Sequence, residues 1–333
     1  MNKWLTLICI SLCSVQISFS QDTFSIVALD SATGEVGSAG SSCVDLFSAG
    51  LPNDDFLGQL LPDVGAINTQ AYYLPENQDT GMARMMKGDT PSQIISYMVA
   101  NDFQAQPEIR QYGIVGFVNG SPQAAAHTGT GTNNYKGHNV GPNYSIQGNI
   151  LLGQQVLDSM EARFLRQKGD LACKLMAALQ GANMVGADTR CQTNGSSSLF
   201  AFVKVAQPTD VFGSPSFLVS VRTRSGDKIE PIDSLQSMFN AAHSCPSTGI
   251  LKNSVLQKEV QIFPNPGNGQ FQIYSPIEVI SLSVISVDGQ TVYQANTNSK
   301  EITLVLPSGI PGGMYFVSLK TMEGVGMRRI VLR

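Results

Sequence analysis

The chain has 333 residues, of which 42% are hydrophobic and 14% charged, and its formal net charge at pH 7 is -4. This length is sufficient for two globular domains, while the slightly negative charge and the lack of a lysine or arginine cluster argue against nucleic acid as a partner. Beyond the first residues, no stretch reaches the roughly 20 consecutive apolar residues that a membrane-spanning helix requires, so no transmembrane segment is expected.

Residues 1–20 have the features of a signal peptide. Lys3 provides a positive charge, residues 5–15 form an apolar segment, and residues 18–20 (Ser-Phe-Ser) have the small-x-small pattern of a cleavage site. Because the apolar segment is short, cleavage is favoured over membrane anchoring, and the mature chain is expected to begin near Gln21. These features predict an exported protein.

Several strands are predicted before residue 130. Residues 23–29 alternate between apolar and polar side chains, residues 35–42 are rich in small residues, and the sequence DSATG joins them as a hairpin turn. Further strands are predicted at residues 64–71, 112–118 and 123–127. The last two form a hairpin that turns at an Asn-Gly dipeptide.

Helices are predicted between the strands. The sequence TPSQ, which begins at Thr90, has the residue spacing of a capping box, and apolar residues follow it at helical spacing. Apolar faces predict two more helices around residues 156–164 and 171–179. Strands return at residues 198–205 and 217–223. Strands on both sides of a block of helices predict an α+β fold in which stacked sheets are covered by helices.

The sequence changes character after residue 244. Residues 245–259 are polar, contain Pro and Gly and show no periodicity, so they are interpreted as a linker between domains at residues 21–244 and 260–333. Seven short strands separated by Gly- and Pro-containing turns predict that the second domain is a small all-β, immunoglobulin-like sandwich. These strands are residues 260–263, 271–274, 279–287, 291–293, 302–306, 314–319 and 327–332.

Four cysteines remain after the signal peptide: Cys43, Cys173, Cys191 and Cys245. An even number in an exported protein predicts two disulfides, for which three pairings exist. We favour Cys173 with Cys191, which closes a short loop, and therefore Cys43 with Cys245. The cysteines lack Cys-x-x-Cys spacing and a nearby histidine pair, so neither a metal site nor a cofactor is expected.

Three segments of the last domain carry a family resemblance: IFPNPGNGQFQI, ISVDGQTVY and LPSGIPGGMYFVSLKTMEGVGMRRIVLR. They resemble the C-terminal sorting domain of type IX secretion cargo. The resemblance implies the type IX secretion machinery as a partner, and transit through the periplasm to a secreted or outer-membrane surface location, with the tail usually removed. The alternative is an ordinary adhesion-type sandwich.

The larger domain contains, in order, TFSIVALD, GEVGSAGSS, GAINTQAY, YGIVGFV, AAHTG, GHNVGPNYSIQGNIL, GADTRCQTNGSSSLF and DKIEPIDSLQSMF. These segments resemble the domain of unknown function numbered 1028, an uncharacterised branch of the N-terminal-nucleophile (Ntn) hydrolase superfamily. The resemblance implies a four-layer α-β-β-α sandwich, which is consistent with the predicted strands and helices.

Thr23 is the candidate nucleophile that this resemblance implies. In Ntn hydrolases the first residue supplies both the hydroxyl nucleophile and the base, a free α-amino group with a pKa of about 7.7 to 8.0. Cleavage after Ser20 would leave Gln21 and Asp22 in front of Thr23. The chemistry therefore requires a second trimming step, which the sequence does not show. The alternative is that Thr23 only begins a strand.

Four further residues are candidate catalytic residues, each with a structural alternative. His127, at the end of a hairpin strand, is interpreted either as an acid/base or as a hydrogen-bond partner of the Gly-rich loop after it. Asn149 could donate to an oxyanion or cap the following helix. Asp188 and Arg190 could form an ion pair that shapes a pocket, or one that only pins their loop. His138 is expected to fix a loop.

Two functions from different classes follow from these features. The first is an amide-bond hydrolase in which Thr23 forms an acyl-enzyme, with a peptide, a peptidoglycan fragment or an acylated small molecule as substrate. The second is a non-catalytic extracellular module that binds cell-wall, glycan or peptide ligands. A purely structural surface protein is a third interpretation, and a homo-oligomer is compatible with all three.

Overall fold

The computed structural model of this chain describes residues 23–49, 53–246, 259–287, 289–321 and 324–333. They form two compact units, divided after Pro246. The predicted signal peptide, Gln21, Asp22 and the linker residues 247–258 lie outside the described residues. Helices and strands both occur in the first unit and strands make up the second, so the mixed α and β character predicted from the sequence is confirmed.

Six strands of the first unit form an antiparallel sheet. They are β1 (Thr23–Leu29), β2 (Val36–Ser42), β7 (Gly137–Val140), β8 (Tyr144–Gly148), β9 (Phe200–Ala206) and β10 (Phe217–Arg222). Their order is β10-β9-β2-β1-β8-β7, so the predicted hairpin of β1 and β2 is at the centre. Every residue of β1, β2 and β9 is buried, because both faces of the sheet are covered.

Four strands form a second antiparallel sheet in chain order. They are β3 (Gly58–Leu61), β4 (Gly65–Gln70), β5 (Gln111–Val118) and β6 (Ser121–Thr128). This sheet packs against the first one, with β4 and β5 in contact with β1. Val27, Leu60 and Val115 are among the apolar side chains buried between the sheets. Strand β1 therefore has a neighbouring strand on each edge and a second sheet against one face.

Helices cover the outer faces of the two sheets. They are α1 (Leu46–Ala49), α2 (Pro75–Met86), α3 (Pro91–Ala100), α4 (Gln154–Arg166), α5 (Leu171–Gly181) and α6 (Pro231–Ala242). Helices α4, α5 and α6 pack on the six-stranded sheet, and α2 and α3 pack on the four-stranded sheet. Helix α3 begins at the predicted capping box, where Thr90 Oγ1 accepts from the Gln93 N–H and Gln93 Oε1 accepts from the Thr90 N–H.

Two disulfides are present, as predicted, but the predicted pairing is wrong. The bonds join Cys43 to Cys191 and Cys173 to Cys245. Cys191 ends a 3-10 turn beside the end of β2, where Asp188 accepts a hydrogen bond of 2.8 Å from the Cys43 backbone N–H. Cys173 lies in the first turn of α5. Because α5 packs against α6, Cys173 is close to the residues after α6, which include Cys245. Tertiary packing, and not loop length, selects the partners.

One part of the interface between the sheets is polar. Gln147 Nε2 donates to Ser25 Oγ at 2.6 Å, and Ser25 Oγ donates to Gln70 Oε1 of the facing sheet at 2.6 Å. Gly113 of β5 leaves the space for Gln147, since a Cβ built at position 113 would lie 2.0 Å from Gln147 Oε1. A residue larger than glycine at position 113 would therefore displace a buried amide.

We expect Gly113→Ala to lower the free energy of unfolding of the first unit by about 1–3 kcal/mol, because the added methyl group must displace a hydrogen-bonded glutamine. Gly116→Ala in the same strand is the matched control, since its Cβ would have no neighbour closer than 3.5 Å. Urea denaturation of both variants measures the difference. Equal losses of stability in the two variants would contradict the steric explanation.

The described residues of the second unit form five strands and not the seven predicted. They are β11 (Gln261–Phe263), β12 (Gln270–Ser286), β13 (Thr291–Val305), β14 (Gly313–Thr321) and β15 (Gly324–Leu332). All belong to one sheet in the order β11-β12-β14-β15, with β13 also paired to β12. The long strands β12 and β13 each contain two of the predicted short strands, because their pairing continues across a register shift between Tyr274 and Val279.

Candidate functional site

The first residue of β1 lies where several strands of the two sheets end. Thr23 is buried and lies opposite Ser42, the last residue of β2. The Thr23 carbonyl accepts a hydrogen bond of 3.1 Å from Gln70 Nε2, at the end of β4, and one of 3.0 Å from the Asn149 backbone N–H, just after β8. The backbone of Thr23 is therefore held by groups from both sheets.

Three buried amide side chains, which we call the amide cluster, lie beside Thr23: Gln70, Gln111 and Asn149. Gln111 Oε1 accepts from Gln70 Nε2 at 2.7 Å and from Asn149 Nδ2 at 2.9 Å. Gln111 Nε2 donates to the Gly148 carbonyl at 2.9 Å. Because a carbonyl oxygen can only accept, this last contact fixes the orientation of the Gln111 amide and, with it, that of the other two.

This orientation leaves one buried acceptor in the amide cluster without a partner. Asn149 is fully buried, and its Oδ1 makes no hydrogen bond within the described part of the chain. A buried polar atom without a partner costs about 1–3 kcal/mol and requires an explanation. The predicted capping alternative is wrong, because α4 begins at Gln154 with Gly153 as its N-cap. Asn149 Oδ1 therefore remains a buried acceptor without a partner among the described residues.

The backbone is strained directly after two members of the amide cluster. Ile150 follows Asn149 with a φ of 51°, and Ala71 and Tyr72 follow Gln70 with φ values of 55° and 56°. The left-handed conformation is unfavourable for residues other than glycine, above all for a β-branched one, and costs about 1–3 kcal/mol. Strained residues of this kind concentrate in functional sites, so both turns support a functional site here.

Asp188 and Arg190 form an ion pair at the same end of β2. Arg190 Nη2 lies 2.7 Å from Asp188 Oδ2, and the Asp188 side chain is fully buried whereas that of Arg190 is 30% exposed. Arg190 Nη2 also donates to Ser42 Oγ at 3.3 Å. Asp188 pins the loop as well, since it accepts from the Cys43 N–H. Because Ser42 lies opposite Thr23, the ion pair belongs to the surroundings of Thr23.

The structure does not bring His127 to this site. His127 Nε2 lies 3.0 Å from the Pro107 carbonyl, and its ring packs on Tyr112 with 5.8 Å between the centroids. Tyr112 belongs to the core beneath α2 and α3, so His127 lies on the face of the four-stranded sheet opposite to the amide cluster. His138 Nδ1, in contrast, lies 2.8 Å from Thr128 Oγ1, which accepts a hydrogen bond from the amide cluster.

A buried ion pair holds the strained turn after β4. Arg110 Nε lies 2.9 Å from Asp102 Oδ2, both side chains are at most 2% exposed, and Arg110 also donates to the Tyr72 carbonyl. Burial acts to raise the pKa of Asp102. Hydrogen bonds from Arg110, a backbone N–H and Asn77, together with the charge of Arg110, outweigh this effect and lower the pKa of Asp102 to about 2.

We expect the first unit to lose stability as the pH falls from about 4 to about 2, because protonation of Asp102 removes the stabilising effect of this ion pair. The folded pKa of Asp102, about 2, lies below the value of about 3.9 for an unfolded aspartate, so its stabilising effect is complete above the unfolded pKa and is lost as the pH falls through the folded one. Asp102→Asn should be less stable than the wild type at pH 7, because Arg110 stays buried without its anion. The stability of this variant should also depend less on pH between pH 4 and pH 2 than that of the wild type.

Thermal unfolding of both proteins between pH 2 and pH 7 measures these differences. The same pH dependence in Asp102→Asn and the wild type would contradict the assignment to Asp102.

Sequence reasoning missed Gln70 and Gln111, which are central to the amide cluster. Each is a single glutamine at one end of a largely buried strand, Gln70 at the end of β4 and Gln111 at the start of β5. The sequence could have indicated them in one way. A glutamine in a buried strand requires a hydrogen-bond partner for its amide, and for both residues this partner had to come from another strand.

Among the described residues, one group of potential metal ligands lies close together: Cys173, His243 and Cys245. Its two sulfur atoms form a disulfide, so they are not available as thiolate ligands. His243 Nε2 lies 2.8 Å from Asp170 Oδ2 instead. None of the described helices is long and apolar enough to cross a membrane.

Comparison with known proteins relates each unit to a family. A family of unknown function (DUF1028) matches residues 23–228, and the secretion system C-terminal sorting domain matches residues 261–333. The crystal structure of a DUF1028 protein from Silicibacter pomeroyi is similar, with a TM-score of 0.51 and 20% identity over 67% of this chain and 90% of that one. At this identity the similarity concerns the fold alone.

A second solved structure belongs to PorZ, a surface component of the type IX secretion system of Porphyromonas gingivalis. It is 18% identical over 26% of this chain and 13% of that one, with a TM-score of 0.22. No curated protein is significantly similar to the chain.

Proposed function

Because this chain belongs to the DUF1028 family, whose function is unknown, and carries a type IX sorting domain, we propose that it is an exported amide-bond hydrolase with Thr23 as its nucleophile. The sorting domain indicates a secreted or cell-surface protein that interacts with the type IX secretion machinery. The proposal assigns the first unit to the Ntn type of α-β-β-α sandwich, while the described strands of the second unit form one all-β sheet. Peptides, peptidoglycan fragments and acylated small molecules are its candidate substrates.

The observation that carries this proposal is the position of Thr23. The family match begins at this residue, which lies in the central strand β1. The turn at Asn149 and Ile150 beside it combines a buried acceptor that lacks a partner with a left-handed β-branched residue. Both features support a site at which a ligand completes the hydrogen bonding.

The reaction requires removal of the residues before Thr23. The freed α-amino group has an ordinary pKa of about 7.7 to 8.0, so its neutral form can take the hydroxyl proton while Thr23 Oγ1 attacks the amide carbonyl. The amine then leaves with that proton, and water hydrolyses the ester formed on Oγ1. In this proposal Asn149 Oδ1 accepts from the amino group or from the substrate N–H, and Asp188 and Arg190 form a wall of the pocket.

A non-catalytic binding module is the second candidate function, and one observation favours it. A cavity of about 450 Å³ opens in the first unit, and Thr23 is not among its lining residues. This volume lies within the range of about 300–1,000 Å³ that is usual for small-molecule sites. A module for cell-wall, glycan or peptide ligands needs no free amine at Thr23.

N-terminal sequencing and intact-mass measurement of the secreted chain distinguish the two functions. The hydrolase requires a chain that begins at Thr23. A chain that begins at Gln21, or at the pyroglutamate formed from it, lacks the required base and would leave the binding module as the function.

A further inference from the structure

We infer that the cavity of the first unit binds a neutral saccharide through the ion pair of Lys204 and Asp55. This inference rests on the binding function proposed above, and it is independent of Thr23. The cavity lies between the edge strand β3 and the loop that joins β9 to β10. Its lining includes Asp55, Phe56, Gln59, Tyr73, Lys204 and Phe212.

Lys204 brings a buried ammonium group to the cavity. The residue is 7% exposed, and its Nζ donates to the Asp55 carbonyl at 3.0 Å and to Asp55 Oδ2 at 2.7 Å. An ammonium group carries three hydrogens, so one donor remains for a ligand. Lys204 binds Oδ2 of the Asp55 carboxylate, so Asp55 Oδ1 is the acceptor beside that donor.

The charges of the cavity select an uncharged ligand. Lys204 and Asp55 neutralise each other, so a charged ligand would lose its hydration without gaining a counterion of its own. A wholly apolar ligand would displace water from the remaining ammonium donor and the remaining carboxylate acceptor and leave both unpaired. The ligand must therefore be neutral and must carry both donors and acceptors.

The close spacing of the two charged groups selects vicinal hydroxyls. Lys204 Nζ lies 2.7 Å from one oxygen of the Asp55 carboxylate, so the remaining ammonium hydrogen and the other carboxylate oxygen are close together, and the ligand must present an acceptor and a donor on nearby atoms. Adjacent hydroxyls of a sugar ring do this, because each hydroxyl both donates and accepts. A trans peptide group directs its N–H and C=O to opposite sides, so one such group cannot bind both members of the ion pair.

The other walls of the cavity suit the apolar face of a sugar ring. Phe56 and Tyr73 pack edge to face with 5.0 Å between their centroids, and Phe212 at the rim is 47% exposed. Aromatic rings can contact the C–H face of a sugar while polar groups bind its hydroxyls. Gln59 Nε2 donates to Gln78 Oε1 at 3.0 Å, which leaves Gln59 Oε1 as a further acceptor at the cavity.

Calorimetric titration of the full secreted chain with neutral sugars tests the inference. The probes are the methyl glycosides of glucose, galactose, mannose and N-acetylglucosamine, with cellobiose, chitobiose and a blocked alanine dipeptide. At least one saccharide should bind saturably, and the dipeptide should not. Phe212→Ala should weaken that binding at least tenfold, while Phe47→Ala, a phenylalanine 44% exposed outside the cavity, should leave the affinity unchanged.

Lys204→Met should abolish saccharide binding, and thermal unfolding checks that this variant folds. If Lys204→Met does not fold, the affinity of Phe212→Ala is the test of the inference. Absence of saccharide binding, or equal affinities in Phe212→Ala and the wild type, would overturn the inference. Binding of the dipeptide alone would overturn the saccharide assignment and leave the binding function in place. Thr23→Ala should bind the saccharide as the wild type does, so the hydrolase proposal and this one can fail separately.

Discussion

Thr23→Ala is expected to abolish covalent labelling of the secreted chain by an α′,β′-epoxyketone, a probe that reacts with both the hydroxyl and the amine of an N-terminal threonine. The substitution removes the nucleophilic oxygen, so the labelling rate should fall by at least about 10³-fold. Thr23→Ser keeps a hydroxyl at the same position and should keep the labelling. Intact-mass measurement over time quantifies the modified fraction in all three proteins.

Folding controls decide whether a loss of labelling is chemical. The hydrogen bonds that Gln70 and Asn149 donate to the Thr23 carbonyl involve the backbone, so the alanine substitution leaves them in place. Circular dichroism should therefore show the wild-type fold, and thermal unfolding measures the stability that the buried substitution removes. Labelling of Thr23→Ala at the wild-type rate would exclude Thr23 as the nucleophile.

Loss of the Cys43–Cys191 disulfide is expected to lower the free energy of unfolding of the first unit by about 5 kcal/mol, because the chain-entropy effect of a crosslink grows with loop length. The two cysteines are 148 residues apart in the sequence. The bond also fastens the end of β2 to the turn that carries Asp188 and Arg190, so its loss should release one wall of the candidate site. Urea denaturation of the Cys43→Ser, Cys191→Ser double variant measures the change.

The second disulfide provides the matched control. Cys173 and Cys245 are 72 residues apart, so their replacement by serine should cost somewhat less, roughly 4 kcal/mol, and should leave the labelling of Thr23 unchanged. A peptide map under non-reducing conditions that links Cys173 to Cys191 would contradict the observed pairing, as would wild-type stability of the first double variant.

The elements that depend on neighbouring residues could be predicted from the sequence. The hairpin of β1 and β2 follows from alternating side chains and a five-residue turn, and α3 follows from the capping box at Thr90. Asp188 and Arg190 are two positions apart, so their ion pair could also be foreseen. In each case the interacting groups are close along the chain, and the same local interactions are present in the folded protein.

Helix α2 could not be predicted, because its buried face is partly polar. Asn77 and Gln78 are buried there, and their partners are distant in the sequence: Asn77 Nδ2 donates to Asp102 Oδ2, and Gln78 Nε2 donates to the Leu57 carbonyl. Gly81 on the same face allows close packing against Ile67, since a Cβ at this position would lie 2.5 Å from the Ile67 side chain. No apolar periodicity therefore marks this helix.

The amide cluster escaped prediction for the same reason. Gln70 and Gln111 are 41 residues apart, and Asn149 is a further 38 residues along the chain. Each amide is unremarkable in its own strand or turn, and the group exists only when the two sheets pack face to face. The disulfide pairing was mispredicted because it too depends on which elements the fold brings together.

The Cys173–Cys245 disulfide affects how the first unit would withstand proteolysis. Cys245 is the next-to-last residue of that unit, and its disulfide bond to Cys173 in α5 fixes the C-terminal end of the unit covalently. If the sorting domain were cut off, a carboxypeptidase that shortens the new end one residue at a time would be stopped at the crosslink before it reached α6. The crosslink would therefore protect α6 from trimming at this end of the first unit.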